Sequence, residues 1–269
     1  GEKMNGNQGR NHLFLGNPYS DAIDKTTVEE GNIFSPGMWT FGIYNMVRIG
    51  ENYYTYSDCT KKRWYFDSDN YPILKSEFEK QNVFSVNNSL FHLGSSGPFG
   101  VDYFEAEITS YIINSAFVIN IAEEGPAGGR INDIKVNGDV LVINSVKIVF
   151  ETTPNEIIVT ENCKSVSVVF NLTVNIKTHV RFRAVHSFAE RAFGNFTRTN
   201  SYDTMEFNVS KNTALKEWKS FRTELICPDG RINRAYNNSL FHILNAMEAG
   251  LPRISQWTYP MFWIRDCVI

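Results

Sequence analysis

The sequence lacks the features that mark several common classes of protein. Its formal net charge is −3 and it contains no block of basic residues, so nucleic acid is not an expected partner. No apolar run approaches the roughly 18–20 residues that a membrane-spanning helix requires. No signal peptide is visible, and the chain opens with Gly1 rather than Met, as a processed protein or an internal fragment would. The compartment, cytoplasmic or secreted, therefore stays open.

Metal-binding signatures are also missing. The four cysteines form no CxxC pair, and the five histidines do not cluster in the sequence. We therefore expect neither a metal nor another cofactor, whereas the sequence leaves one or two disulfides open. The glycine-rich segment 123–129 lacks the spacing of a phosphate-binding loop, and we interpret it as a solvated turn.

Aromatic-rich and isoleucine-rich runs dominate the chain from Met38 to about His186. Aromatic residues make up 14% of the sequence, and they occur in short runs separated by polar breaks, which is typical of strands. Asn137-Gly138 separates two apolar runs and predicts a tight hairpin. This part of the chain is therefore predicted to be β-structure.

The clearest periodicity runs from Val166 to Ala184. Apolar side chains occupy one face and polar or charged side chains the other, which is the alternation of a half-buried strand. An extended segment of this length would span roughly 60 Å at about 3.3 Å per residue, so either the strand bends or two strands are joined near Thr178. Because a one-sided apolar face needs a second sheet above it, we predict a large two-sheet antiparallel sandwich.

Helical periodicity replaces the strand pattern after about residue 206. An apolar stripe predicts a linker helix over about 213–225, which Cys227-Pro228-Asp229-Gly230 ends. Asp229 is a candidate cap for a second helix. The apolar stripe of that second helix consists of Tyr236, Leu240, Ile243, Leu244 and Met247. Two helices cannot bury their stripes alone, so we expect further helical structure beyond Ile269 or a partner chain to cover them.

The last eleven residues place aromatic side chains next to a cation and an anion. Trp263 offers a flat apolar face, Arg265 a fork of hydrogen-bond donors and Asp266 two acceptor oxygens. Such groups suit a sugar ring, which has an apolar C–H face and a rim of hydroxyls that can donate to the carboxylate and accept from the guanidinium in charge-assisted hydrogen bonds. An Arg–Asp pair at a helix start beside a buried Trp would have the same sequence, and the residues alone do not decide between the two interpretations.

The order of these elements, with Trp263-Ile264-Arg265-Asp266 between aromatic-rich flanks, resembles glycosidases built on a six-hairpin α/α toroid. The resemblance is to prokaryotic-type glucoamylases and the glycosidase part of glycogen-debranching enzymes, in which a super-sandwich precedes the toroid and a W-x-R-D motif lies early in it. It implies a β-sandwich domain over 1–205, a linker helix over 206–230 and the truncated start of an α/α-toroid catalytic domain over 231–269.

The same resemblance implies a glycoside hydrolase that acts on α-linked glucosides or related oligosaccharides and polysaccharides. Trp263 would line the subsite of the terminal sugar, Arg265 and Asp266 would bind its hydroxyls, and Tyr259 or Trp257 would shape the rim. An inverting mechanism needs two carboxyls roughly 6.5–9.5 Å apart, and in these families they lie downstream of the W-x-R-D segment. No catalytic residue is assigned within this chain, and the isolated chain is expected to be inactive.

A different class of function also fits the sequence. The sandwich could be a non-catalytic unit that binds carbohydrate or takes part in an assembly, with its two C-terminal helices covered by a partner chain. In that case the aromatic surplus would serve a glycan surface or an assembly interface.

Overall fold

The computed structural model of the chain describes residues 12–16, 25–67, 72–94, 100–160, 162, 164–186, 206–221, 225–245, 247–248 and 251–252. This part of the protein is mainly β, as the sequence predicts: two eight-stranded antiparallel sheets enclose a common core, and two α-helices follow them. Neither of these helices is long and apolar enough to cross a membrane.

Eight strands form the first sheet, which we call sheet A. They are β1 (Leu13–Leu15), β2 (Thr26–Glu29), β3 (Ile33–Ser35), β4 (Gly42–Ile49), β5 (Asn52–Tyr54), β10 (Ser115–Ala122), β14 (Glu156–Val159) and β15 (Ser165–Asn171). Their spatial order is β1-β2-β3-β4-β10-β15-β14, and β5 pairs with the end of β4.

Eight further strands form sheet B. They are β6 (Lys61–Phe66), β7 (Leu74–Lys80), β8 (Phe84–Gly94), β9 (Gly100–Ser110), β11 (Ile134–Asn137), β12 (Val140–Ile143), β13 (Val146–Phe150) and β16 (Lys177–His186). Their order is β11-β12-β13-β16-β9-β8-β7-β6, so β6 is an edge strand. A short pair, β17 (Met247–Glu248) and β18 (Leu251–Pro252), lies apart from both sheets.

Phenylalanine rings fill much of the space between the sheets. Phe34 of sheet A stacks on Phe104 and Phe182 of sheet B, with ring centroids 6.5 and 6.2 Å away. Phe182 also lies 5.0 Å from Phe104 and 5.3 Å from Phe150. Because aromatic side chains bury large areas, this cluster is a main source of the attraction between the sheets.

The hairpin predicted at Asn137-Gly138 is present. Asn137 is the last residue of β11 and pairs with Val140, so the two loop residues are Gly138 and Asp139. Gly138 has φ +58°, a conformation that glycine adopts without steric cost.

The alternation predicted over 166–184 divides into two strands that belong to different sheets. β15 ends in sheet A and β16 begins in sheet B at Lys177, close to the break expected at Thr178. Ile176, which the alternation placed on the apolar face, is 56% exposed because it lies in the crossover, next to Asn175 with φ +60°. Even-numbered side chains face the core on both sides of the crossover, so the alternation continues although the sheet changes.

The segment 123–129 is not the solvated turn that its composition suggested. Most of its residues are buried, and the Gly129 N–H donates to the Thr40 carbonyl at 2.9 Å. A Cβ on Gly129 would lie 2.1 Å from the carbonyl oxygen of Trp39, so only glycine allows this approach. The glycines therefore serve to pack one loop against another.

The first helix, α1 (Phe207–Phe221), begins earlier than the predicted start near residue 213. Phe207 sets this start because its ring packs edge-on against Phe91 and Tyr103, on the outer face of sheet B, at 5.4 and 6.1 Å. A single 3₁₀ turn (Tyr56–Asp58) also occurs in the described part of the chain.

The second helix, α2 (Gly230–Asn245), begins where the sequence predicts. The Asp229 carboxylate accepts the Arg231 N–H at 2.9 Å, which confirms Asp229 as its cap. The buried face is centred on Phe241 and includes Leu244, whereas Ile243, which we expected to be buried, is 59% exposed. The division into three domains is not tested by these observations and stays a prediction.

We expect Phe182→Ala to lower the free energy of unfolding by about 3–5 kcal/mol, because it removes a fully buried ring that contacts three others. Phe182→Leu should cost clearly less, since it leaves a smaller cavity. Urea denaturation of both variants measures the difference. Equal stability of Phe182→Ala and the parent would contradict the packing described here.

Candidate functional site

The residues predicted to bind sugar lie outside the described part of the chain. Trp257, Tyr259, Trp263, Arg265 and Asp266 all follow Pro252, the last described residue. Their role therefore stays a prediction, and the described structure contributes other sites.

The described sandwich contains a buried polar cluster formed by four residues from both sheets, which we call the Asp102 cluster. His92, Asp102 and His186 come from three adjacent strands of sheet B, and Thr26 from sheet A faces them. His92 Nδ1 lies 2.8 Å from Asp102 Oδ1, and His186 Nε2 lies 3.1 Å from Oδ2. The Thr26 hydroxyl lies 2.6 Å from both carboxylate oxygens.

The cluster lies at the end of the sandwich, next to strand termini. Thr26 begins β2, Asp102 lies near the start of β9, and His186 ends β16. Gly100 seals it from one side, because a Cβ there would lie 2.3 Å from His92 Cε1 and 2.8 Å from His186 Cε1. This close packing leaves no room for a substrate.

The electrostatics of the cluster favour an ionised Asp102. Burial by itself raises the pKa of this carboxyl, but the nearby charge and hydrogen bond of His186, together with those of His92, more than offset it and lower the pKa to about 2. A buried carboxylate is therefore satisfied by three donors: one hydroxyl and two imidazole N–H groups.

The donor atoms of His92, Asp102 and His186 lie within 4.8 Å of one another, close enough for a metal ion to be considered. The groups around these residues do not fit one, however. A metal-bound imidazole almost always donates its other N–H to an acceptor, and His92 Nε2 is buried without a partner among the described residues. The arrangement is that of a structural hydrogen-bond network.

The sequence analysis missed this cluster because its residues are far apart in the chain. The signal was nevertheless present for one of them, since His186 continues the inward alternation of Phe182 and Ala184. A histidine at a core position of a strand predicts a buried polar partner, but the sequence does not say which strand supplies it.

A second buried polar side chain, Lys25, lies directly before Thr26. Lys25 is fully buried, and its Nζ donates a hydrogen bond to the carbonyl oxygen of Met247, just after α2. The contact ties the segment after α2 to the same end of the sandwich as the Asp102 cluster.

An open groove lies between the edge strand β6 and helix α2; we call it the junction groove. Its volume is about 600 Å³, within the range of roughly 300–1,000 Å³ typical of small-molecule sites. Its walls are formed by Leu13, Arg63, Trp64, Tyr65, Phe66, Leu74, Arg234, Asn238 and His242. The floor is fixed by Phe66, whose ring centroid lies 4.3 Å from that of Phe241 of α2.

Two other sets of carboxyl groups could be considered for acid–base chemistry. Glu105 and Glu107 share the outer face of β9, but Arg181 lies 2.5 Å from the first and Lys177 2.8 Å from the second, as in structural ion pairs.

Burial alone raises the pKa of Glu217, on α1, to about 7. No second carboxyl of the described residues contributes to that shift.

Comparison with known proteins supports the architecture. No protein-family model matches the chain, and no curated protein matches it. A solved structure described as "Putative kojibiose phosphorylase from human microbiome" matches 87% of this chain with a TM-score of 0.54 and 9% sequence identity. The chain spans 35% of that protein, about a third of its length. At this identity the likeness shows a shared fold.

We expect Asp102→Asn to destabilise the sandwich by about 3 kcal/mol, because an amide cannot accept from all three donors in a buried site.

The parent protein should also lose stability in acid. The Asp102 pKa is depressed from 3.8 to about 2 in the folded state, so its contribution of roughly 2 kcal/mol is complete above pH 4 and is lost as the pH falls toward 2. Urea titrations between pH 2 and pH 6 measure both effects, and Asp133→Asn, at an exposed site, is the control.

Glu217→Gln should stabilise the protein in a pH-dependent way. The folded-state pKa of Glu217 is raised from 4.5 to about 7, so the folded protein holds a proton that the unfolded chain has released, and parent stability falls as the pH rises from about 4.5 to 7. The Tm difference between the variant and the parent should therefore increase across this interval and stay constant above it. A Tm difference that does not change with pH would show that Glu217 titrates normally; exposed Glu51→Gln is the matched control.

Proposed function

We propose that the chain is the sandwich-bearing part of an enzyme that cleaves glycosidic bonds in oligosaccharides, with a sugar subsite formed by Trp263, Arg265 and Asp266. The observation that carries the proposal is the fold shared with part of a protein described as a kojibiose phosphorylase, in a chain that also contains the W-x-R-D segment. Fold alone does not fix chemistry, and the aromatic, guanidinium and carboxylate groups of that segment supply the chemical part of the argument.

The proposed reaction is hydrolysis of α-linked glucosides by an inverting two-carboxylate mechanism. One carboxylic acid would protonate the leaving oxygen, and the other would activate a water on the opposite face of the sugar. Both carboxyls are proposed to lie downstream of this chain. The proposed roles of Arg265 and Asp266 are to hold the sugar hydroxyls and orient the anomeric carbon, and that of Trp263 is to stack on the ring.

Phosphorolysis is the neighbouring possibility, and one reagent separates it from hydrolysis. A phosphorylase uses phosphate in place of water, so its turnover depends on added phosphate and its product is a sugar phosphate. Turnover in phosphate-free buffer supports the proposed hydrolysis, whereas strict phosphate dependence would assign the reaction to the other class.

Exposed apolar side chains on α2 and in the segment before it favour a further structure that covers them. Ile226, Ile232 and Ile243 are 86%, 50% and 59% exposed, which is a high exposure for three isoleucines close in the chain. The enzyme proposal assigns this cover to further helices of the toroid, and the alternative of a non-catalytic assembly protein assigns it to another chain. The intact mass of the native polypeptide decides between them: a mass far above 30.8 kDa fits the first, and a mass near that value fits the second.

In the complete protein, Asp266→Asn should lower kcat/KM for an α-linked disaccharide at least a hundredfold, because it removes an acceptor of hydrogen bonds from the sugar hydroxyls. The Tm should stay within about two degrees of the parent value. Sugar release is measured with and without phosphate, and Asp133→Asn is the matched control. Parent-like turnover by Asp266→Asn would remove the proposed role of this residue.

A further inference from the structure

The junction groove has a charge distribution that the glycosidase proposal does not explain. Arg63 approaches it from β6, Arg234 and His242 approach it from α2, and no Asp or Glu is among the described residues that line it. Arg234 forms no ion pair within the described part of the chain; Asp229, which feels its charge, is bonded to Arg231. The groove therefore presents two exposed guanidinium groups and no carboxylate among its described lining residues.

Helix geometry places these donors together. Arg234, Asn238 and His242 are spaced four residues apart, so they form one stripe along α2, beside the face that Phe241 buries. Opposite them, Arg63 is held over the ring of Tyr65, with 4.7 Å between its guanidinium carbon and the ring centroid. Its only described ion-pair contact, to Glu77, is 3.7 Å long and exposed, and such contacts contribute little.

The remaining walls are apolar and aromatic. Trp64 and Phe66 line the groove from β6, and Trp64 is held in place because its Nε1–H donates to Asn32 Oδ1 at 2.9 Å. A fixed aromatic wall offers a face for a sugar ring or another flat, partly apolar group.

We propose that the junction groove binds a phosphate-bearing sugar. The guanidinium groups of Arg63 and Arg234 bind the phosphoryl oxygens, since the planar fork of arginine matches phosphate geometry. The sugar ring lies against the aromatic wall, and Asn238 and His242 bond its hydroxyls. A neutral oligosaccharide leaves both arginines unused, and a free anion leaves the aromatic wall unused. The proposal goes beyond glycoside cleavage and does not depend on it.

The test is equilibrium binding of glucose 1-phosphate to the 269-residue chain by titration calorimetry. Inorganic phosphate and methyl α-glucoside are compared as two half-ligands, because the first carries only the phosphate group and the second only the sugar ring. Arg234→Gln removes one of the two guanidinium groups of the groove and keeps a good helix former. Arg231→Gln is the matched control on the same helix, because Arg231 points to Asp229 and does not line the groove. Circular dichroism verifies that each variant is folded.

We expect glucose 1-phosphate to bind at least tenfold more tightly than either half-ligand. Arg234→Gln should weaken this binding at least tenfold, whereas Arg231→Gln should stay within twofold of the parent. Absence of binding, or equal losses for Arg231→Gln and Arg234→Gln, would overturn the proposal. Equal affinity for inorganic phosphate would overturn the sugar part of the proposal. Sugar cleavage by the complete protein would remain a separate question.

Discussion

One buried carboxylate binds the two sheets together at the end where the chain continues. Asp102 accepts from Thr26 across the sandwich and from two histidines within its own sheet, so its charge is compensated by donors on three different strands. Hydrophobic burial supplies attraction but no unique alignment, whereas a buried charge tolerates only the arrangement in which its donors are present. The phenylalanine cluster holds the sheets together, and the Asp102 cluster fixes how they are aligned at this end.

Sequence reasoning reached the sheets because strand alternation is a local property. Every second residue reports the buried side from Val166 to Leu172, and again from Val180 to Ala184 after the change of sheet. It did not reveal the change itself, because alternation carries no information about the neighbouring strand. Ile176 was wrongly assigned to the buried face for that reason. The glycine-rich segment 123–129 was wrongly predicted to be a solvated turn, because composition does not show that its small residues pack against Trp39 and Thr40.

The candidate sites were less accessible to prediction than the fold. His92 and His186 meet only because β8 and β16 both neighbour β9, which is a property of topology. The junction groove likewise depends on the position of α2 beside β6. By contrast, the cap at Asp229 was predicted correctly, because a cap and the helix it begins are adjacent in the chain. The predicted sugar residues from Trp257 to Asp266 lie outside the described residues and rest on chemistry and resemblance.

The crossover from β15 to β16 has a consequence for how the chain reaches this structure. Sheet A joins β4 to β10, and sheet B joins β9 to β16, so Ile43 pairs with Ile121 and Asp102 with Ala184. Such non-local pairing gives a high contact order, and chains of this kind fold slowly because large loops must close before their contacts form. During synthesis neither sheet is complete until its last strand has left the ribosome, and β16 is the last strand of sheet B. Until then the open edges of β9 and β13 are unpaired, and this interval is when the nascent chain is most exposed to aggregation.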